Sequence, residues 1–193
     1  APVTPETPKQ RIAALLLELH ADEWLPSVAL HYRWNRHENR EFAISEFGRS
    51  AFPRLPAALQ KLAVRPVANK MAGIAPVGVT HATIPGVEAF TQALIVQLEA
   101  HFRAYPFLFG TRPSIADFAL CGPLWAHLYR DVGSTYLFRD APHVVARLVL
   151  AHLGEGDADA LEHRVVLPRE ALVDRRRVAI SIFLAFLKSS LAT

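Results

Sequence analysis

Apolar residues recur at steps of three and four along most of the chain, which is the spacing of helices that bury one face. The first segment with this spacing covers residues 9–35, where the apolar positions are Ile12, Leu15, Leu16, Leu19, Trp24 and Val28. A single long helix with a kink at Pro26 is the simplest account, because a proline in a helix interior removes one backbone hydrogen bond.

Prolines and glycines divide the rest of the first half into further elements. Helices are predicted from about 38 to 52, ending at Pro53, and from about 56 to 71, with a break at Pro66. Residues 73–84 are rich in glycine and proline, which predicts a connector between two long helices.

The second half of the chain continues the helical pattern. Helices are predicted over about 85–104, 114–130, 142–153 and 168–191. Pro123 is expected to bend the helix at 114–130, at a point about one turn before the proline. Strand-like alternation persists nowhere in the sequence. The predicted fold is therefore all-α, a helical bundle with a long antiparallel pair at its centre.

The start of the helix at residue 114 carries a specific pattern. Gly110 and Pro113 close the preceding segment, and Ser114 can cap the backbone N–H groups of the first turn. Asp117 stands at the third helical position, where its carboxylate can reach back to the amide of Ser114. The two residues form a predicted capping box, and their role is structural.

Composition and charge exclude several classes of protein. With 193 residues, 51 % of them hydrophobic and 20 % charged, the chain can bury a substantial core. The formal charge is only +3, and basic residues are scattered outside Arg175–Arg177, so no nucleic-acid partner is expected. The aliphatic run Val178–Leu187 is about ten residues long, against the roughly 20 needed to cross a bilayer, so no membrane partner is expected. The single cysteine, Cys121, suits a reducing compartment.

The order of residues around the capping box resembles the C-terminal helical domain of glutathione transferases. The resemblance is carried by Leu98, Glu99, Phe102, Tyr105–Pro106, Phe107–Gly110, Arg112–Phe118 and Ala119. A shorter phrase, His31–Trp34, is similar to one found in some bacterial members. The resemblance implies a proline-rich interdomain linker at residues 1–8, a bundle of that family's type at 9–153, and a loop with a C-terminal helix that packs on it at 154–193.

The resemblance also implies a division of labour with a second domain. In glutathione transferases a thioredoxin-like domain holds most of glutathione and stabilises its thiolate, which is the nucleophile. No βαβ pattern is visible in this sequence, so no catalytic residue is assigned, and glutathione is expected as a co-substrate bound mainly by a thioredoxin-like domain missing from the chain. The family further implies an apolar electrophilic substrate, a homodimer and a cytoplasmic location.

Four residues of the first helix are predicted to lie along one stripe. His20, Trp24, Ser27 and His31 are separated by four, three and four residues. By resemblance, this stripe is the wall of the pocket for the apolar co-substrate; an ordinary interhelical surface is the other interpretation. The two histidines are roughly 16 Å apart at 1.5 Å per residue, too far to share a metal, and no metal site is predicted.

Three further residues are candidates for substrate binding. The planar guanidinium of Arg33 suits the carboxylate of a peptide-like ligand, but a surface salt bridge is the favoured interpretation. Trp125 and Tyr129 are four residues apart on one helical face. In the resembled fold their rings complete an apolar pocket, and the alternative is that they belong to the core.

Two functions of different classes therefore remain open. One is the substrate-side helical domain of a glutathione transferase, which is catalytically incomplete alone and presents the stripe of His20, Trp24, Ser27 and His31 to a second domain. The other is a stand-alone helical module that binds a protein or a hydrophobic ligand, which predicts a continuous apolar patch without convergent polar groups.

Overall fold

A computed structural model describes residues 3–74 and 78–153, of which 76 % are helical and none forms a strand. The α-helices are α1 (Pro8–Leu19), α2 (Leu25–Asn35), α3 (His37–Ala51), α4 (Ala57–Ile74), α5 (Ile84–Ala104), α6 (Ile115–Cys121) and α7 (Pro142–Leu153). The predicted all-α fold is confirmed for this part of the chain. The C-terminal loop and helix predicted within residues 154–193 lie outside the described residues. None of the described helices has the length and apolarity needed to cross a membrane.

Two π-helical segments interrupt the path of the helices. The first, His20–Trp24, joins α1 to α2, and the second, Gly122–Tyr129, continues α6. Pro26 and Pro123 each lie within the first two positions of the segment that they enter. The chain is helical on both sides of each proline, so the missing N–H group leaves a gap in the hydrogen-bond ladder, and nearby the Leu25 N–H bonds the His20 carbonyl oxygen five residues back. The chain therefore changes its helical register at these prolines instead of ending there.

The break predicted at Pro66 is wrong. The helix α4 continues through this residue to Ile74. The proline is exposed, and so is the side chain of Leu62, whose carbonyl oxygen would have accepted the missing bond. Because that turn of α4 faces water, solvent can satisfy the freed carbonyl group.

The main core lies where the first two helices pack against the helix of the capping box. Helix α1 contacts α6, and α2 contacts the second π segment that follows α6. These neighbours therefore run parallel, and the antiparallel pair at the centre of the bundle stays a prediction. Leu25, Val28 and Tyr32 of α2 are buried in one cluster with Leu124 of the second π segment. Residues of α5, α6 and α7 belong to the same cluster.

Helices α3 and α4 form a hairpin with a smaller core of its own. Ala43 and Ile44 of α3 pack there with Val64 and Ala68 of α4. Gly48 permits the close approach, because a Cβ atom at this position would lie 2.9 Å from the Cβ of Gln60. The C-terminal end of α2 packs on this hairpin, because Trp34 of α2 is buried in the same cluster.

The apolar positions of α1 lie on the surface of the described structure. Ile12, Leu15, Leu16 and Leu19 are between 49 % and 62 % exposed, whereas Ala14 is fully buried. The regular spacing that predicts the helix therefore marks a face that no described residue covers. Four large aliphatic side chains on two turns are an unusual exposure, and such patches mark surfaces of interaction.

The capping box is confirmed at the start of α6. The Asp117 carboxylate accepts hydrogen bonds from the backbone N–H of Ser114 at 2.8 Å and from its hydroxyl at 2.7 Å. It also accepts a bond from the N–H of Leu108 at 2.9 Å. Gly110, with a φ of 128°, makes the turn between these two contacts. The carboxylate thus fixes both the helix start and the loop before it.

We expect Asp117→Ala to destabilise the fold by about 2–4 kcal/mol, because it removes a cap and leaves two backbone N–H groups without an acceptor. Urea unfolding followed by circular dichroism measures this change. Glu23→Ala removes an exposed carboxylate and is the matched control, with an expected change below about 0.5 kcal/mol. Equal stabilities of the two variants would show that the capping box contributes nothing.

Candidate functional site

Three residues of the predicted stripe line one groove. His20, Trp24 and Ser27 face the start of α5 across a space of about 610 Å³. The ring of His20 meets the edge of Phe90 with centroids 5.8 Å apart, and the Trp24 side chain is 68 % exposed. The Ser27 hydroxyl donates to the Trp24 carbonyl oxygen at 2.7 Å, so its proton is used within the helix. The groove is open and mostly apolar.

His31 does not lie in this groove. Its side chain is buried, with Nε2 3.1 Å from a Glu88 carboxylate oxygen and Nδ1 2.9 Å from the Asn35 amide nitrogen. Ser27 and His31 both belong to α2, so the separation arises one turn beyond Ser27, where Glu88 and Asn35 contact the His31 ring. The sequence spacing assumed a uniform α-helix, in which the four residues would have shared one face.

Arg33 is placed in the interior rather than at the cleft edge or in a surface salt bridge. Its Nε and Nη2 atoms donate to the two carboxylate oxygens of Asp131, each at 2.7 Å, and Nη2 also donates to the Ala126 carbonyl oxygen at 2.9 Å. The Asp131 side chain is 1 % exposed and that of Arg33 is 9 % exposed. The pair is a bidentate, buried ion pair between α2 and the residue that follows the second π segment.

Trp125 and Tyr129 stack on each other, as their spacing predicts, with ring centroids 5.0 Å apart. Tyr129 also meets the edge of Phe138 at 5.4 Å, and both rings are half-buried against the main core. Neither ring lines the groove of His20 and Trp24. Their surroundings are those of residues at the rim of a core.

A second, more apolar cavity lies on the other side of α2. It encloses about 560 Å³ between the segment from Ala21 to Arg33 and the segment from Phe118 to Arg130. Phe47 and Met71 of the α3–α4 hairpin complete the wall. Both π segments contribute to the lining, among them Ala21 of the first and His127 of the second. Its size is within the range of pockets that hold small molecules.

Polar groups converge at one end of this cavity. Arg33, His127 and Arg130 are all part of its lining. The His127 Nδ1 atom and the Arg130 Nε atom are buried without a hydrogen-bond partner. An unsatisfied buried polar atom costs about 1–3 kcal/mol. Two of them in one wall are therefore a feature that a folding argument alone does not explain.

The charges around His127 keep its ring neutral. Burial lowers the pKa of His127 well below 6.5, and the positive charges of Arg33 and Arg130 lower it further. Arg130 donates to a Glu46 carboxylate oxygen at 2.6 Å, which holds that guanidinium in place. Although burial lowers the pKa of Arg130 as well, an arginine stays charged in proteins. The end of the cavity therefore has a positive field and a neutral imidazole.

Sequence reasoning identified only Arg33 among the residues of this cavity. His127 stands next to Ala126 in a helix with no distinguishing spacing, and its importance depends on partners that are far away in sequence. The described residues contain no group of three or more side chains that could hold a metal ion. Burial raises the pKa of the Cys121 thiol to about 11, so it is an inert packing residue.

Comparison with known proteins returned no match to this chain, whether among family models, curated proteins or solved structures. The geometry of the cavity and the groove is therefore the basis on which a function is argued.

We expect Asp131→Ala to destabilise the fold by about 3–5 kcal/mol, because it leaves the buried Arg33 guanidinium without its counter-ion. Lys61→Ala is the matched control, since it breaks an exposed pair with Glu41 at 3.6 Å and should cost less than about 1 kcal/mol. Urea unfolding of both variants checks the difference. A loss below 1 kcal/mol for Asp131→Ala would show that water solvates Arg33.

Stability should fall as the pH drops below about 6.5, because the unfolded chain then binds a proton at His127 that the folded chain excludes. The lowered pKa of His127 sets the sign, with a slope of up to about 1.4 kcal/mol per pH unit from this residue. His127→Leu should remove that part of the slope, and His37→Leu, at an exposed histidine, should keep it. Unfolding measured between pH 7 and pH 5 tests this, and identical slopes in the two variants would contradict it.

Proposed function

We propose that this chain is the substrate-side helical part of a glutathione transferase-like protein. In this proposal the cavity between α2 and the second π segment binds an apolar electrophilic co-substrate. Glutathione is bound mainly by a thioredoxin-like domain, and the chain alone does not complete the reaction. The observation that carries the proposal is the cavity itself, whose wall is mostly apolar and whose basic residues and histidine, Arg33, Arg130 and His127, lie at one end.

The uncovered face of α1 supports a second domain. Four exposed aliphatic side chains, from Ile12 to Leu19, continue toward the exposed Trp24. Residues from Val3 onward lie against the start of α6, because the Val3 carbonyl oxygen accepts a bond from the Ile115 N–H at 2.9 Å. This contact fixes the chain before α1 against the start of α6. A domain attached there would be held close to the bundle that carries the exposed face.

We expect Gly122→Phe to weaken the binding of a neutral aromatic probe at least tenfold, because the new ring occupies the cavity. A Cβ atom at Gly122 meets no other atom within 4 Å, and its φ of −55° suits any residue. The probe is methyl naphthalene-2-carboxylate, and the affinity is measured by titration calorimetry.

Gly86→Phe is the matched control for this experiment. Gly86 lines the groove of His20 and Trp24, and a Cβ atom there also meets nothing within 4 Å. Retained binding in Gly86→Phe with loss in Gly122→Phe supports the cavity. The reverse result would transfer the binding site to the groove, and no binding by the unmodified protein would contradict the proposal.

A stand-alone interaction module is the second candidate, and the exposed aliphatic face of α1 is the observation that favours it. The intact mass and N-terminal sequence of the product isolated from its native cells distinguish the two. A mass larger by one small domain, with a βαβ sequence before Ala1, supports the transferase. A mass equal to that of this chain favours the module. Conjugation of glutathione by the isolated chain would contradict the assignment of the thiolate-stabilising group to another domain.

A further inference from the structure

The cavity is polarised along its length. Asp22 and Arg33 both line the cavity and belong to the same continuous helical stretch. They are eleven residues apart, which corresponds to about 16 Å along the helix axis. Because the two walls run parallel, Phe118 lies toward the end of Asp22, while His127 and Arg130 lie toward that of Arg33. Asp22 is exposed, so water screens its charge. One end of the cavity therefore has an exposed, screened carboxylate, and the other end is basic.

The basic end is not neutralised on the side that a ligand meets. The Arg33 and Arg130 side chains line the cavity, but their carboxylate partners Asp131 and Glu46 do not. Both carboxylates lie behind the wall and hold the guanidinium groups in place. A ligand in the cavity therefore meets cationic groups whose positions are already fixed.

Unused hydrogen-bonding capacity is found at the same place. The Arg130 Nε–H donor is buried without a partner in a side chain that is 7 % exposed overall. The His127 Nδ1 atom is buried and unpartnered as well, and a neutral imidazole can carry its proton there. Less than 1 Å² of either atom is accessible, so a ligand in the cavity meets the guanidinium groups of the lining and not these two atoms. A planar guanidinium suits a carboxylate, which accepts bonds but donates none.

We infer that the cavity is selective for amphipathic monocarboxylates, with the apolar body between α2 and α6 and the carboxylate beside the guanidinium groups of Arg33 and Arg130. The inference rests on the proposed function, since it concerns the same cavity, and it specifies the class of ligand. An aromatic or aliphatic acid fits this description, whereas a neutral compound of the same shape gains no charge interaction with the two guanidinium groups.

The test compares naphthalene-2-carboxylate with its methyl ester by titration calorimetry on the full chain. We expect the acid to bind at least tenfold more tightly than the ester. Glu46→Gln should strengthen binding of the acid about threefold or more and leave the ester unchanged, because it removes a negative charge beside Arg130. A gain of affinity cannot arise from a variant that merely unfolds. Arg130→Gln should abolish the preference for the acid.

Arg49→Gln is the matched control for Arg130→Gln. Arg49 also pairs with Glu46, but it is more than half exposed and does not line the cavity. Arg49→Gln removes the same charge as Arg130→Gln, and it should change the preference for the acid over the ester by less than twofold. Equal affinities for the acid and the ester, or weaker binding of the acid by Glu46→Gln, would overturn the inference. If the ester still binds and Gly122→Phe weakens that binding, the proposed function remains in place. Binding of neither compound would overturn both.

Discussion

The buried ion pair between Arg33 and Asp131 determines where the second half of the bundle lies relative to the first. The two residues are 98 positions apart in sequence, and their bidentate contact fixes the end of α2 against the turn after the second π segment. Such a pair stabilises a fold only when each charge retains its counter-ion, since the cost of desolvation is large. It specifies one arrangement of the helices more than it adds stability. The cavity is a consequence, because its basic end is the place where this contact joins the two walls.

A second buried polar residue reinforces the same junction. The Asn39 amide donates to the Tyr32 carbonyl oxygen at 2.9 Å and to the Ser134 hydroxyl at 3.1 Å, and its oxygen accepts a bond from the Gly133 N–H. Asn39 is completely buried. These bonds satisfy backbone groups in a turn that would otherwise be buried without partners. The turn therefore cannot move away from α2 without exposing several polar groups to an apolar interior.

Local patterns predicted the elements of this fold better than they predicted its site. The capping box depends on residues three positions apart, so Ser114 and Asp117 could be read from the sequence alone. The end of α3 before Pro53 could be read in the same way. His31 could not be placed correctly, because its burial depends on contact with Glu88, which is 57 positions away in sequence. The role of Arg33 depends on Asp131, which no local spacing connects to it.

The apolar face of α1 shows how a correct pattern leads to an incomplete picture. Its spacing predicts a helix with one buried face, and the helix is present, but Leu15 and Leu19 are half exposed. A sequence encodes every surface that the native protein buries, including those covered by a domain or a partner. An exposed aliphatic face is costly in isolation and loses that cost on contact with an apolar surface, so the pattern of α1 is explained by a partner and not by the described core.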